Sequence, residues 1–199
     1  CCRLLYIHGR TYFAASTLMN HKRFLDTAAM YSLFRVADDY VDIIDSSKVR
    51  YKNLSNFEKN FWYCFNKGKG DYNLHPILPA VIETIQRNNY DKNLFETFFR
   101  SMHLDVETYK CKTMKDTMFY MEGSAAIIGE FMLPILITDK NKHSIARKHA
   151  RDLGFAFQLT NMIRDIDEDF HLRRQYIPED LCRNYKVNIS SGKNNIFSP

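Results

Sequence analysis

The chain has little glycine and little proline, 7 and 5 in 199 residues, and no sustained alternation of Val, Ile and Thr with polar residues. That pattern argues against a turn-rich β-sandwich or barrel and favours helices joined by short connections. The cysteines at positions 1, 2, 64, 111 and 182 are odd in number and form no C-x-x-C pair. A disulfide framework and a zinc site are both unexpected, which points to a reducing compartment. There is no lysine/arginine block and the net charge is only +5, so nucleic acid is not an expected partner. The longest apolar run, Ala125 to Ile137, is interrupted by Glu130 and Pro134 and is too short on its own to span a bilayer. No signal-peptide pattern opens the chain, whose first residue is Cys1 rather than Met. A cytoplasmic location, in solution or peripheral to a membrane, is the expectation.

Hydrophobic residues at 45% and charged residues at 26% are ordinary for a globular protein and too apolar for a disordered one. One domain over residues 1–187 is expected, followed by an irregular tail at 188–199 where apolar periodicity is lost. "LLYIHGRTYF" reads as a strand-like or irregular piece. Helical spacing then predicts helices over His21–Ile44, Leu54–Phe65, Ile77–Asn88, Lys92–Lys110, Lys115–Ile137 and Ser144–Phe170, with "DSSKVRYKN" as a loop. Pro178 opens a short last turn or helix.

The stretch "FRVADDYVDIID" places Asp38, Asp39, Asp42 and Asp45 in an otherwise apolar helix. Tyr31, Arg35, Asp38 and Asp42 share one face, and Asp38 and Asp42 lie one turn apart, their Cβ atoms ~6 Å from each other. Alone, this is also what a solvated acidic face looks like. A second stripe changes the balance: Gln158, Asn161, Asp165 and Asp169 follow helical spacing beside the apolar stripe Phe155, Leu159, Met162 and Ile166. At ~100° per residue the polar stripe sits roughly 90° from the apolar one, on the shoulder of the buried face, where a cavity wall would be. Carboxylates spaced this way on two helices suit a hard divalent cation that keeps waters and ligand phosphates in its shell, with Mg2+ the natural choice beside a diphosphate. Arg35, Arg164, Arg173 and Arg174 then read as phosphate donors or as ion-pair partners of the neighbouring acids.

"HGRTYFAAS" (8–16), "MYSLFRVADDYVD" (30–42), "FYMEGSAAIIGEFMLPIL" (119–136) and "LGFAFQLTNMIRDIDEDF…RRQYIPEDL" (153–181) occur in the order found in squalene/phytoene synthases, and the chain resembles that family. The wording of the first and third segments is most similar to bacterial phytoene synthases. The resemblance implies an all-α isoprenoid-synthase fold with a central cavity. It implies that Asp38, Asp42, Asp165 and Asp169 bind Mg2+, with Mn2+ as an alternative, and that Arg35 and Arg164 bind diphosphate. Gln158 and Asn161 match polar residues beside the metals, Tyr120 a tyrosine beside the reacting carbons, and Tyr31, His8 and Thr11 further active-site positions; Gly9 stands where some members have serine.

The activity implied is the Mg2+-dependent condensation of two geranylgeranyl diphosphates to phytoene through a cyclopropylcarbinyl diphosphate. NADPH is not expected for that reaction. The alternatives are squalene or dehydrosqualene synthesis from farnesyl diphosphate and a non-catalytic synthase-like subunit. An apolar product also implies contact with a membrane surface. Asp105, in "MHLDVETY" with His103, falls where the family has an acidic position lining the same cleft. The match stops near Val187, whereas the family continues with further helices; a fragment, a split chain or an altered C-terminus is expected, with apolar surface left uncovered. Trp62, Tyr63 and Phe65 read as packing residues, His143 and His149 as surface residues, and Cys111 lacks a base partner for nucleophilic chemistry.

Overall fold

A computed structural model describes residues 1–43, 45–106 and 109–187. Among them there is no strand, only an isolated parallel bridge between Lys110 and Gln175. The helices are α1 Cys2–His8, α2 Arg10–Ser16, α3 His21–Asp42, α4 Ser47–Lys67, α5 Leu78–Asn88, α6 Lys92–Val106, α7 Met114–Met121, α8 Ile127–Leu136, α9 His143–Arg164, α10 Ile166–His171 and α11 Glu179–Asn184. A π-turn, Glu122–Ala126, joins α7 to α8. The chain forms two compact units, one of Cys1–Phe95 with Phe131–Ala146 and one of Glu96–Glu130 with Arg147–Pro199. The tail expected at 188–199 lies outside the described residues, as does Ile44.

The first unit is built around α3, which packs against α1, α2, α4 and α5. Its N-terminus is capped by Asn20, whose side chain accepts the Arg23 amide at 3.0 Å. Ala28, Ala29 and Ala37 are buried with Met30, Leu33 and Val41, so small residues bring neighbouring helices close to the axis of α3. An aromatic core fills the rest: Phe95 sits 5.1 Å from Phe61 and 4.9 Å from Phe131, whose carbonyl accepts the Tyr90 hydroxyl. Trp62 and Phe65 pack into this cluster, while Tyr63 is exposed.

The strand-like reading of "LLYIHGRTYF" is wrong: these residues form α1 and α2, broken at Gly9. Apolar and aromatic residues favour a strand, but among the described residues no strand is there to pair with them. Packing on α3 decides instead, with Leu5 fully buried. At Gly9 an added Cβ would lie 3.0 Å from the Tyr31 ring, so the break is also a close approach. The loop expected over "DSSKVRYKN" is likewise mostly helix, because Ser46 caps α4 about two turns before the expected start at Leu54.

In the second unit, α7 starts with a reciprocal box in which Thr113 accepts the Asp116 amide and Asp116 accepts the Thr113 amide. A Cβ on Gly129 would meet the Ala150 carbonyl oxygen at 2.2 Å, and one on Gly154 would meet that of Ala125 at 2.5 Å. Glycine is therefore what lets the α7–α8 segment and α9 touch backbone to backbone. Arg151 ties the same contact electrostatically, donating to Glu130 at 2.5 Å and to Glu122 at 2.6 Å, with Arg147 2.8 Å from Glu130. Met114–Leu136 forms a 23-residue helical stretch with the length and apolarity to cross a membrane, and 56% of its most apolar window is buried in the protein.

The helix expected to run unbroken to Phe170 kinks at Asp165, which has φ −100° and ψ 15° and caps α10. Asp167, Glu168 and Asp169 then occupy the first turn of α10, where carboxylates are favoured next to unpaired amides. Arg173, at φ 58°, reverses the chain after α10. Gln175 consequently pairs with the Tyr109 and Cys111 backbone, at 2.9 and 2.8 Å.

Candidate active site

In the first unit, α3 presents Tyr31, Arg35, Asp38 and Asp42 along one partly buried edge, as the spacing predicts. Arg35 is engaged: Nη1 lies 3.2 Å from Asp38 and Nη2 lies 2.6 Å from Asp39. Burial pulls the Arg35 guanidinium down, but the two carboxylates outweigh it and hold it above its ordinary range. Burial also raises the Tyr31 phenol. His8 and Thr11, on α1 and α2, are exposed.

The second unit carries the other stripe, and α9 is amphipathic in an inverted sense. Gln158, Asn161, Asp165 and Asp169 are all partly covered. Leu153, Phe157, Leu159 and Ile163 are instead exposed, by 54, 56, 41 and 58%. The apolar stripe expected at Phe155, Leu159, Met162 and Ile166 is thus only partly right: Met162 and Ile166 are buried and Leu159 is not. A polar stripe turned inward with apolar residues turned outward is the opposite of a solvated acidic face. Arg164 forms a two-pronged bond to Asp165, at 2.7 and 2.6 Å. Burial, reinforced by Asp165 and Asp105 and opposed by Arg174, pushes the Asp169 carboxyl up to about 7.

Deeper in the same unit lies a group that the spacing arguments did not assemble. Asp105, 4% exposed, accepts the Tyr120 hydroxyl on Oδ2 at 2.9 Å and the Tyr176 hydroxyl on Oδ1 at 2.6 Å. The two rings stack, centroids 4.4 Å apart and planes 26° from parallel, and Tyr109 lies 5.5 Å from Tyr120. Arg174 Nη2 donates to the Asp105 carbonyl at 2.9 Å. Cys111, Met121 and Met162 complete this small core. Burial first, and the Asp105 charge second, hold the Tyr120 phenol well above its ordinary range, and the same holds for Tyr176. Tyr176 carried no helical-spacing signal; its part comes from the reversal at Arg173.

Among the described residues no three His, Cys, Asp or Glu side chains come together as a metal cluster. Asp38 and Asp42 belong to the first unit and Asp165 and Asp169 to the second, so each unit offers a carboxylate pair. Pairs of hard oxygen donors fit Mg2+, which takes one or two carboxylates and fills its octahedron with water and substrate phosphate.

Helices throughout, acid–arginine stripes on two of them and a buried tyrosine pair over a carboxylate define a protein of the all-α isoprenoid-synthase class. The squalene/phytoene synthase family model matches residues 7–194, and the chain belongs to that family. It is 28% identical over 176 residues to phytoene synthase 2, chloroplastic, of Oryza sativa subsp. japonica, covering 87% of this chain and 43% of that one. It is 26% identical to phytoene synthase 1, chloroplastic, of Arabidopsis thaliana, covering 87% and 41%. The chain thus spans less than half the length of these curated relatives. In fold it is similar to a dehydrosqualene synthase structure solved with a ligand, with TM-score 0.83 and 22% identity over 96% of this chain and 65% of that one. A squalene synthase structure from Alicyclobacillus acidocaldarius gives TM-score 0.75 and 22% identity over 96% and 70%.

Proposed function

We propose that the chain carries the site of a Mg2+-dependent head-to-head prenyltransferase that condenses two geranylgeranyl diphosphates to phytoene, through a cyclopropylcarbinyl diphosphate, with release of diphosphate. The observation that carries this reading is the inverted α9, which turns Gln158, Asn161, Asp165 and Asp169 to the covered side while leaving Leu153, Phe157 and Ile163 exposed. Similarity to phytoene synthases supports the choice of product.

Asp38 and Asp42 on α3, and Asp165 and Asp169 on α9–α10, would hold Mg2+. Bound there, the ion supplies charge that stabilises a departing diphosphate. Arg35 and Arg164, each resting on a neighbouring aspartate, exchange that partner for phosphate oxygens when a diphosphate arrives. Tyr120, Tyr176 and Tyr109 present aromatic faces from a water-poor core, which suits an allylic cation that water would quench. Release of a long apolar product favours a membrane surface.

The test is incubation of the chain with geranylgeranyl or farnesyl diphosphate and Mg2+, with and without NADPH, followed by identification of the hydrocarbon. Phytoene from geranylgeranyl diphosphate without NADPH is the expected result. Squalene or dehydrosqualene from farnesyl diphosphate would move the assignment to the shorter substrate, and no hydrocarbon under any condition would indicate a non-catalytic subunit.

A further inference from the structure

Asp105 stands outside both acidic stripes, near the C-terminal end of α6, yet it is a buried carboxylate with a tyrosine hydroxyl on each oxygen. Each of its oxygens accepts one phenol, and its backbone carbonyl accepts Arg174. Packing alone does not require this. Burying a carboxylate among aromatic rings costs several kcal/mol in desolvation, whereas a phenylalanine pair would fill nearly the same volume at no such cost.

A phenol carries a single hydroxyl proton. Tyr120 and Tyr176 both direct theirs at Asp105, so each oxygen has only lone pairs left for any other neighbour. Stacking fixes the two rings beside one another, and the shared carboxylate sets the direction of both hydroxyls.

We propose that Asp105 is a positioning residue for the prenyl condensation: by accepting the hydroxyl protons of both Tyr120 and Tyr176, it fixes the stacked pair of phenols in the one orientation that serves an allylic cation. This rests on the function proposed above. The Asp105 charge also holds both phenols in the protonated state, because a phenolate beside a buried carboxylate would be doubly unfavourable. A neutral phenol stabilises a cation without being alkylated by it as readily as a phenolate would be.

The test uses the full chain with Asp105→Asn, Asp105→Glu and Tyr176→Phe. Alkaline titration of phenolate absorbance is read without substrate, and kcat and KM are read with prenyl diphosphate and Mg2+. In Asp105→Asn, the last tyrosines to ionise should do so at lower pH than in the parent, and kcat should fall about tenfold or more with KM changed far less. Asp105→Glu should restore part of kcat. An unmoved titration, or an Asp105→Asn enzyme with parental kcat, overturns the inference. If Asp105→Asn does not fold, Tyr176→Phe, which keeps the ring and removes one hydrogen bond, must itself lower kcat; parental kcat there overturns the inference as well. A parent chain that makes no hydrocarbon overturns the proposed function instead, and the substrate-free titration tells the two failures apart.

Discussion

Asp26 on α3 and Arg87 on α5 form an ion pair inside the first unit, Nη1 to Oδ1 at 2.6 Å, with Asp26 3% exposed. Thr84 and Asn88 also donate to the same carboxylate, each at 3.2 Å. Arg87→Met therefore leaves a buried charge with two neutral donors, and should cost about 2–4 kcal/mol of unfolding free energy. Urea unfolding measures this. A change below about 0.5 kcal/mol would mean that the carboxylate is rehydrated rather than held.

Gly129→Ala forces a methyl group to within 2.2 Å of the Ala150 carbonyl oxygen, a backbone atom that no side-chain rotation can move aside. The α7–α8 segment and α9 must separate, weakening the Arg151 bonds to Glu122 and Glu130. A loss of about 1–3 kcal/mol is expected. Ala156, on the same helix as Ala150, is exposed, so adding one heavy atom there by Ala156→Ser serves as the control. Equal stability of the two variants would contradict the close contact.

The Asp169 carboxyl is raised from 3.8 to about 7, chiefly by burial. Between those values the folded chain holds a proton that the unfolded chain releases. The stabilisation is complete below the unfolded value and is lost as pH rises through about 7. His75, lowered by burial, acts in the opposite direction, so the comparison with Asp169→Asn isolates the effect. The stability of the parent relative to Asp169→Asn should decline from about pH 4 to about pH 7. A flat or rising difference would show that Asp169 is ionised at neutral pH.

Much of this was legible in the sequence because helical spacing is a local signal. The bounds of α5 and the start of α9 were readable from apolar periodicity, and Asp38, Asp42, Asp165 and Asp169 were readable as stripes. Position 5 of α1 and the break at Gly9 were not, because helix there depends on packing against α3 rather than on propensity. The meeting of Asp105 with Tyr176 was equally hidden. It depends on a left-handed residue at Arg173, where nothing in the side chain announces φ 58°. The inversion of α9 was half visible: its polar stripe read as the shoulder of the buried face, but the exposure of Leu159 runs against any reading in which apolar means inside.

That exposure has a physical consequence. Leu153, Phe157 and Ile163 form an apolar surface on α9 that water covers poorly. Phe157→Ser with Ile163→Ser should reduce self-association in sedimentation without lowering thermal stability. A drop in stability on substitution would place these side chains inside a packed contact.

The central proposal is that the carboxylate pair of α3 and the carboxylate pair of α9–α10 are each needed to bind Mg2+ with a prenyl diphosphate. Its most direct test is calorimetric titration of the chain with a non-reactive prenyl diphosphate analogue, with and without Mg2+, for the parent, Asp38→Asn and Asp165→Asn. Binding that requires Mg2+ in the parent, and is lost in each variant while circular dichroism stays unchanged, is the predicted result. Undiminished Mg2+-dependent binding after either substitution would contradict it.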